Sequence, residues 1–174
     1  MRAVAADGLT LEPQTVAHAE PMFMVLSDPA IYEYENEPPR SLEWLRDRFR
    51  KLESRVSPDG TEQWLNWVIR LPGSELAGYV QATVHADGRA AIAYELSSAY
   101  WGRGLAHRAV AAMIRELAAS YHVRTVTAVF KKENQRSRHL LERLGFLPAS
   151  REWHGKYHVD ADEEMMRREA RLHE

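Results

Sequence analysis

The stretch Tyr94-Glu95-Leu96-Ser97-Ser98-Ala99-Tyr100-Trp101-Gly102-Arg103-Gly104-Leu105-Ala106-His107 decides how the rest of the chain is read. Ala91 to Leu96 is apolar or aromatic at most positions, and Ser97 and Ser98 end the run, so it reads as a strand entering a tight turn. Gly102 and Gly104 allow backbone conformations that a Cβ would hinder. From Leu105 to Ala119 apolar residues recur at helical spacing, at Leu105, Ala109, Ala112, Met113 and Leu117. The first turn of such a helix carries N–H groups without internal partners and the positive end of the helix dipole. Two glycines just ahead of it let a phosphate approach that backbone. The stretch therefore suits a phosphate-bearing ligand, and taken alone it also suits a structural strand-to-helix turn. It has neither the Gly-Lys-Ser/Thr of a P-loop nor the third glycine of a dinucleotide fingerprint.

A second stretch lies downstream: Asn134-Gln135-Arg136-Ser137-Arg138-His139-Leu140-Leu141-Glu142-Arg143-Leu144-Gly145-Phe146. Trp101-Gly102-Arg103-Gly104-Leu105-Ala106 resembles the coenzyme A loop of the GNAT superfamily of N-acetyltransferases, Gln/Arg-x-x-Gly-x-Gly/Ala. The second stretch resembles the Asn-x-x-Ser/Ala…Gly-Phe helix of the same superfamily, in the right order, with a helix and a strand between. The Tyr-Trp-Gly-x-Gly form and the Asn-x-x-Ser pattern look most like the ribosomal-protein N-acetyltransferase (RimJ/RimL-like) branch. The likeness covers about Gln63 to Phe146. It implies one α/β domain of the α+β type over residues 1–174, a GNAT-like mixed sheet of about seven strands flanked by helices. It also implies that the sheet splays between the strand before the glycine loop and the strand at Val123, with an acyl-pantetheine arm in the wedge. Acetyl-CoA is the implied co-substrate and an amine the implied acceptor.

Composition is consistent with that reading. The 174 residues are 45% hydrophobic and 28% charged, with a net charge of −2. That is an ordinary globular mix, with no general electrostatic case for nucleic acid. There is no cysteine, which removes disulfides, thiolate metal sites and a cysteine nucleophile. The expected setting is the cytoplasm: the N-terminus does not read as a signal peptide, and no apolar run reaches the length of a membrane span. A homodimer is compatible with everything read here.

Taken in order, Leu9 to Pro13 alternates as a first strand. Thr15 caps a helix over Val16 to Leu26, with Pro21 weakening its middle. Ala30 to Arg40 is a loop, and Ser41 caps a helix to about Leu52, with Trp44, Leu45, Phe49 and Leu52 on one face. Strands follow at Trp64 to Leu71, Leu76 to Val84 and Ala90 to Leu96, the last two joined by a turn at His85 to Gly88. After the glycine loop and its helix come a strand at Val123 to Phe130 and a helix from Asn134 to Gly145. A strand over Leu147 to Trp153 and a turn region over Gly155 to Asp162 complete the pattern. Charge and periodicity leave Glu163 to Arg171 open between helix and strand, and the resemblance implies a strand.

Acetyl transfer to an amine needs a held coenzyme, a deprotonated nitrogen, a stabilised oxyanion and a leaving thiolate. For the coenzyme the candidates are Leu96 at the strand end, the backbone of Gly102, Arg103, Gly104, Leu105, Ala106 and His107, and Asn134. Trp101 stands where the superfamily often has Gln or Arg, so a charged contact is missing. Asn134 also has a plain role, capping its helix. Ser137 reads either as a solvated helix serine or as a hydrogen-bond donor to the leaving sulfur. The superfamily's usual helix Tyr falls at Leu141, so either Ser137 substitutes weakly or the thiolate leaves without a protein acid. Glu95 reads as a solvated strand residue or as the general base. Tyr32, Glu33, Glu35 and Glu37, with Tyr94, are the acceptor-side candidates, and the three carboxylates also fit a solvated loop. Lys131 and Lys132 read as surface or as partners of a coenzyme phosphate. His154 and His158 without a third ligand give no metal site. The reading is a metal-free N-acetyltransferase whose acceptor is a protein N-terminus or a small amine. A coenzyme A-binding domain without catalysis is the rival.

Overall fold

The computed structural model describes residues 1–171; residues 172–174 of the expected single domain lie outside the described residues. Among the described residues the strands are β1 (Val4–Ala6), β2 (Leu9–Pro13), β3 (Gln63–Arg70), β4 (Leu76–Val84), β5 (Arg89–Leu96), β6 (Thr125–Lys131), β7 (Leu147–Pro148) and β8 (Glu163–Glu169). The α-helices are α1 (Ala19–Leu26), α2 (Leu42–Leu52), α3 (Leu105–Tyr121), α4 (Gln135–Arg143) and α5 (Arg151–Lys156). The strands make one mixed sheet in the order β1-β2-β3-β4-β5-β6-β8-β7.

The expected central order appears as β3-β4-β5-α3-β6-α4-β7. The sheet has eight strands rather than about seven, because Val4–Ala6 folds back on Leu9–Leu11 as an antiparallel edge. Three residues are too few to show a period of two. The C-terminal segment is a strand, Glu163–Glu169, paired antiparallel along β6.

From β1 to β5 every pair is antiparallel, and α3 then crosses over to a parallel neighbour. That parallel pairing joins only Arg89 with Thr125, Ala90 with Val126 and Ala91 with Thr127. Beyond Ala91, β5 stays on β4 as far as Leu96, while β6 stays on β8 as far as Lys131. The sheet therefore divides into two halves, and the division makes the cleft.

One face of the sheet is covered by α3 and α4. Ala109, Val110, Met113 and Leu117 of α3, with Leu140, Leu141 and Phe146, close on Leu65, Trp67, Val80, Ile92 and Val126. On the other cluster Met22, Leu26, Leu45 and Phe49 of α1 and α2 close on Val68 and Leu76. Each such side chain contributes about 1.5–3 kcal/mol by leaving water, so both halves of the cleft rest on packed cores. Ser41 accepts from the Trp44 N–H at 3.0 Å and starts α2, but Trp44 itself is exposed, so the buried face is narrower than expected.

Gly78 sits opposite Leu96, beside the register shift at Ile69 and Arg70. A Cβ there would lie 2.0 Å from the Glu95 carbonyl oxygen. Only glycine lets β4 come this near the end of β5.

Two local expectations are corrected. The segment after Thr15 opens as a 3-10 turn, Val16–His18, and α1 starts at Ala19, so Pro21 falls in the first turn and not mid-helix. There its missing N–H costs nothing. The expected strand Leu147 to Trp153 stops at Pro148, because Ser150 accepts from the Trp153 N–H and starts α5.

Candidate active site

A cleft of about 520 Å³ opens where β5 parts from β6. Its floor is the end of β5. The Ser97 N–H donates to the Ala77 carbonyl at 2.9 Å. Alternation along an antiparallel strand then turns the N–H and C=O of Leu96 and Tyr94 toward the gap. One acceptor position on the Leu96 carbonyl is taken by the Trp101 indole N–H at 3.0 Å. Leu96 thus faces the cleft as expected, with its oxygen already half engaged.

The glycine loop forms one rim. Gly102 has φ +74 and Gly104, which caps α3, has φ +71. Among the described residues no atom lies within 4 Å of a Cβ built at either. Glycine is required there by conformation, and the space above is open. No side chain caps α3, so the N–H groups of Leu105, Ala106 and His107 in its first turn are left for a ligand. Gly102, Gly104, Leu105, Ala106 and His107 all line the cleft. Arg103 places its guanidinium 5.7 Å from the centre of the Tyr100 ring and is not among the residues lining the cleft. Arg108 braces the turn by donating to the carbonyls of Asp7, Arg103 and Gly104.

The opposite rim is α4. Asn134 caps it, its Oδ1 accepting from the Ser137 N–H at 3.1 Å, and Asn134 also lines the cleft. The Ser137 hydroxyl accepts from the Tyr94 hydroxyl at 3.3 Å, so the two reach across the parted strands. Burial pushes Tyr94 up to about 12, with the Ser137 hydrogen bond opposing and Glu35 adding to the rise. Tyr94 therefore keeps its proton near neutrality. Leu140 lines the cleft, whereas Leu141, at the superfamily's Tyr position, is fully buried in the core.

Glu95 also lines the cleft, next to Tyr94 on β5. Its carboxylate accepts from Asn36 Nδ2 at 3.2 Å and shares a hydrogen bond with Tyr79. Burial raises its pKa, the Tyr79 and Asn36 bonds oppose, and Glu35 adds to the rise. A carboxylate so placed is fit to take a proton.

The residues of the acidic loop meet different surroundings. Tyr32 donates its hydroxyl to the Leu26 carbonyl at 2.5 Å and anchors the loop. Glu33 pairs with Arg136 at 3.5 Å. Glu35 is pushed up by desolvation and by Glu163, with Lys131 opposing. Glu37 is exposed. The three carboxylates are thus not brought together, and the loop residues lining the cleft are Ala30, Ile31 and Tyr34. Lys131 is spent on Asp162 at 3.0 Å and Glu163 at 3.2 Å, and Lys132 on the Ala161 carbonyl. Neither lines the cleft; the cations that do are Arg108, Arg136 and Arg143. His154 is held by the Ser150 carbonyl and the Met165 N–H, in α5, while His158 lies beyond that helix.

Sequence reasoning missed four residues. Asp28 accepts from the Ser98 N–H at 2.7 Å and the Ala30 N–H at 3.0 Å, tying the loop to the end of β5. Tyr79 and Asn36 hold Glu95, and Arg136 spans the rims. Asp28 stands directly before Pro29, a pair that favours a turn; the others come from separate elements and share no spacing.

Comparison with known proteins agrees with this geometry. A family model described as an acetyltransferase (GNAT) domain matches residues 8–147. No curated protein matches the chain. Among solved structures it is similar to RimL, a ribosomal L7/L12 α-N-protein acetyltransferase in complex with coenzyme A. The TM-score is 0.78 at 17% identity, over 96% of this chain and 97% of that one. It is similar to ribosomal-protein-S5-alanine acetyltransferase from Vibrio fischeri, with TM-score 0.77, 16% identity and 97% and 96% of the two chains. It is also similar to spermidine N-acetyltransferase from Vibrio cholerae in complex with coenzyme A and spermine, with TM-score 0.76, 16% identity and 94% and 96% covered. At such identities the likeness concerns the fold.

Proposed function

Because the chain belongs to the GNAT acetyltransferase family, we propose that it transfers an acetyl group from acetyl-CoA to a primary amine, by direct attack in a ternary complex. The observation that carries this is the parting of β5 from β6 between a glycine-capped helix start and the Asn134–Ser137 rim. The residues present fit the coenzyme. Free N–H groups at the start of α3 suit its diphosphate, and the backbone of Tyr94 and Leu96 offers a strand edge without a strand partner to the amide-bearing pantetheine arm.

In the step itself the amine nitrogen bonds to the thioester carbon and the carbon–sulfur bond breaks. Glu95 takes the ammonium proton, directly or through water, before the attack, and the second proton leaves the nitrogen as the carbon–sulfur bond breaks and ends on the departing thiolate. N–H groups of the β5 edge meet the charge that develops on the carbonyl oxygen. The Tyr94 and Ser137 hydroxyls have two hydrogens between them, and their mutual bond uses one. The other is free to meet the departing sulfur, which supports a donor role for Ser137 in a chain where Leu141 has replaced the usual Tyr.

The acceptor class is a protein N-terminus, a reading supported by the Asn-x-x-Ser helix and by RimL and the S5 acetyltransferase standing among the similar folds. The test is calorimetric titration with acetyl-CoA, followed by turnover with N-terminal peptides and polyamines side by side. Peptides should turn over faster. Coenzyme binding without turnover of any amine would point to the binding-domain rival, and polyamine preference would move the acceptor to small molecules.

A further inference from the structure

The superfamily position that often carries Gln or Arg is Trp101 here, and the structure shows what has come to that place. The Arg136 guanidinium lies 3.7 Å from the centre of the Trp101 ring. It belongs to α4, the rim opposite the glycine loop, and both residues line the cleft. The geometry points to Arg136 as the cation that holds the coenzyme's diphosphate, with Trp101 as the platform that aims it. This rests on the acetyl-CoA reading above and adds to it a residue and a role.

The argument is one of faces and edges. A guanidinium stacked on an aromatic ring is attracted through its flat face. All its N–H donors lie in the plane and stay available to a second group, in a fork that fits phosphate oxygens. Arg136 already uses that edge on an anion, the Glu33 carboxylate at 3.5 Å. The pair is weak by its exposure, with the side chains 46% and 57% accessible. An exposed pair of this kind contributes little, so exchanging a carboxylate for a diphosphate costs little. Stacking would persist through the exchange, because it engages the other surface of the group. Trp101 is itself fixed, its indole N–H held by the Leu96 carbonyl. The platform is therefore tied to the strand end, and the cation it aims faces the rim where the helix N–H groups are free. Arg136 supplies the charge that position 101 lacks, from across the cleft.

The test compares two ligands on the purified chain by calorimetry. Coenzyme A carries the diphosphate and acetyl-pantetheine does not. Arg136→Met should weaken coenzyme A about tenfold to a hundredfold, the weight of hydrogen bonds from a charged donor, and leave acetyl-pantetheine unchanged. Arg136→Lys should recover only part, since an ammonium neither forks nor stacks as well. Trp101→Leu should act through the same residue, so the double variant should lose no more than Arg136→Met alone. An equal loss for both ligands would overturn the inference, because the substitution would then have altered the wedge rather than a phosphate contact. So would a parent that binds the two ligands equally, or an Arg136→Met variant that binds coenzyme A like the parent. A parent that binds neither ligand overturns the transferase reading and this one with it.

Discussion

Replacing Gly104 by valine separates two things that the glycine loop does. Gly104 sits at φ +71, and a Cβ there meets no atom of the described residues within 4 Å. The protein therefore charges only for the backbone conformation. A left-handed residue with a Cβ costs roughly 1–2 kcal/mol, and a branched one stands at the upper end. For a domain of this size 1 kcal/mol moves the melting temperature by about 2–4 °C, so a loss of about 4–8 °C is expected. The ligand faces a separate cost. The valine methyls occupy the open space above the first turn of α3, where under the proposed function a diphosphate would come within hydrogen-bond distance. Losing one such charged contact removes about 1.5–3 kcal/mol, or roughly tenfold to a hundredfold in affinity. Gly104→Ala should show most of the melting loss and less of the affinity loss. The assays are thermal melting without ligand and calorimetric titration with coenzyme A. A hundredfold excess of coenzyme over its dissociation constant should stabilise the parent by about 2.7 kcal/mol, and about half of that gain or more should vanish in the valine variant at the same coenzyme concentration. A folded Gly104→Val chain with the parent's coenzyme affinity would refute the assignment of the loop. A much larger melting loss would refute the claim that the space above it is open.

Other expectations follow from the same geometry. Ser137→Ala should lower turnover by less than about a hundredfold, the span of a modest acid contribution, with coenzyme affinity little changed. Tyr94→Phe should fall on the same step, and an effect confined to binding would remove both from it. Glu95→Gln should abolish the acidic limb of the turnover profile, which in the parent should lie above the ordinary carboxylate range because burial raises Glu95. The sign for stability is opposite to that of a paired carboxylate. A raised carboxyl favours the folded state below its unfolded pKa, and that contribution is lost as pH rises through the folded value; pH-resolved melts of parent and variant check it. Glu35→Gln should raise the acceptor's KM at low salt and do so less at high salt, since exposed charges are screened over about 8 Å at physiological strength, while Glu37→Gln should leave it unchanged. Equal kinetics for the Glu35 variant and the parent at low salt would remove that loop from acceptor binding. Gly78→Ala should destabilise the chain by several kcal/mol, on the order of other severe backbone and core changes, because a Cβ would collide with the Glu95 carbonyl; a denaturant melt reads it directly.

What the sequence made legible was whatever lies within one or two turns of chain. The strand at Ala91 to Leu96, the glycines at 102 and 104, and the caps at Ser41 and Asn134 are local patterns, and each has its local reason in the structure. The β1 edge was invisible because three residues carry no period, and α5 because Ser150 caps a helix of only six residues. The arrangement of the acidic loop is not legible for a different cause. Glu33, Glu35 and Glu37 are neighbours in sequence, but an irregular backbone sends them to different surroundings: Glu33 to Arg136, Glu35 into the field of Glu163 and Lys131, and Glu37 to solvent. The bonds that hold Glu95 come from Asn36 and Tyr79, and the one that meets Ser137 comes from Tyr94. Side chains 59 and 43 positions apart meet there only because the sheet places them together.

The parting of β5 from β6 also bears on how the chain assembles. Three registered residues join the antiparallel run β1 to β5 to the group β6 to β8, and the rest of the join is made by helices packed over it. Within the first run β1–β2, β3–β4 and β4–β5 are near-neighbour pairings, which close short loops and form fast; the pairing of β2 with β3 across α1 and α2 and the parallel join across α3 close longer loops and come later. The native chain then carries a strand edge inside itself rather than at its rim. Its amides on Tyr94 and Leu96 should exchange with solvent hydrogen faster than those of the flanking strands. A bound pantetheine arm would slow them as a ninth strand would, and would spread the sheet's cooperativity across the gap.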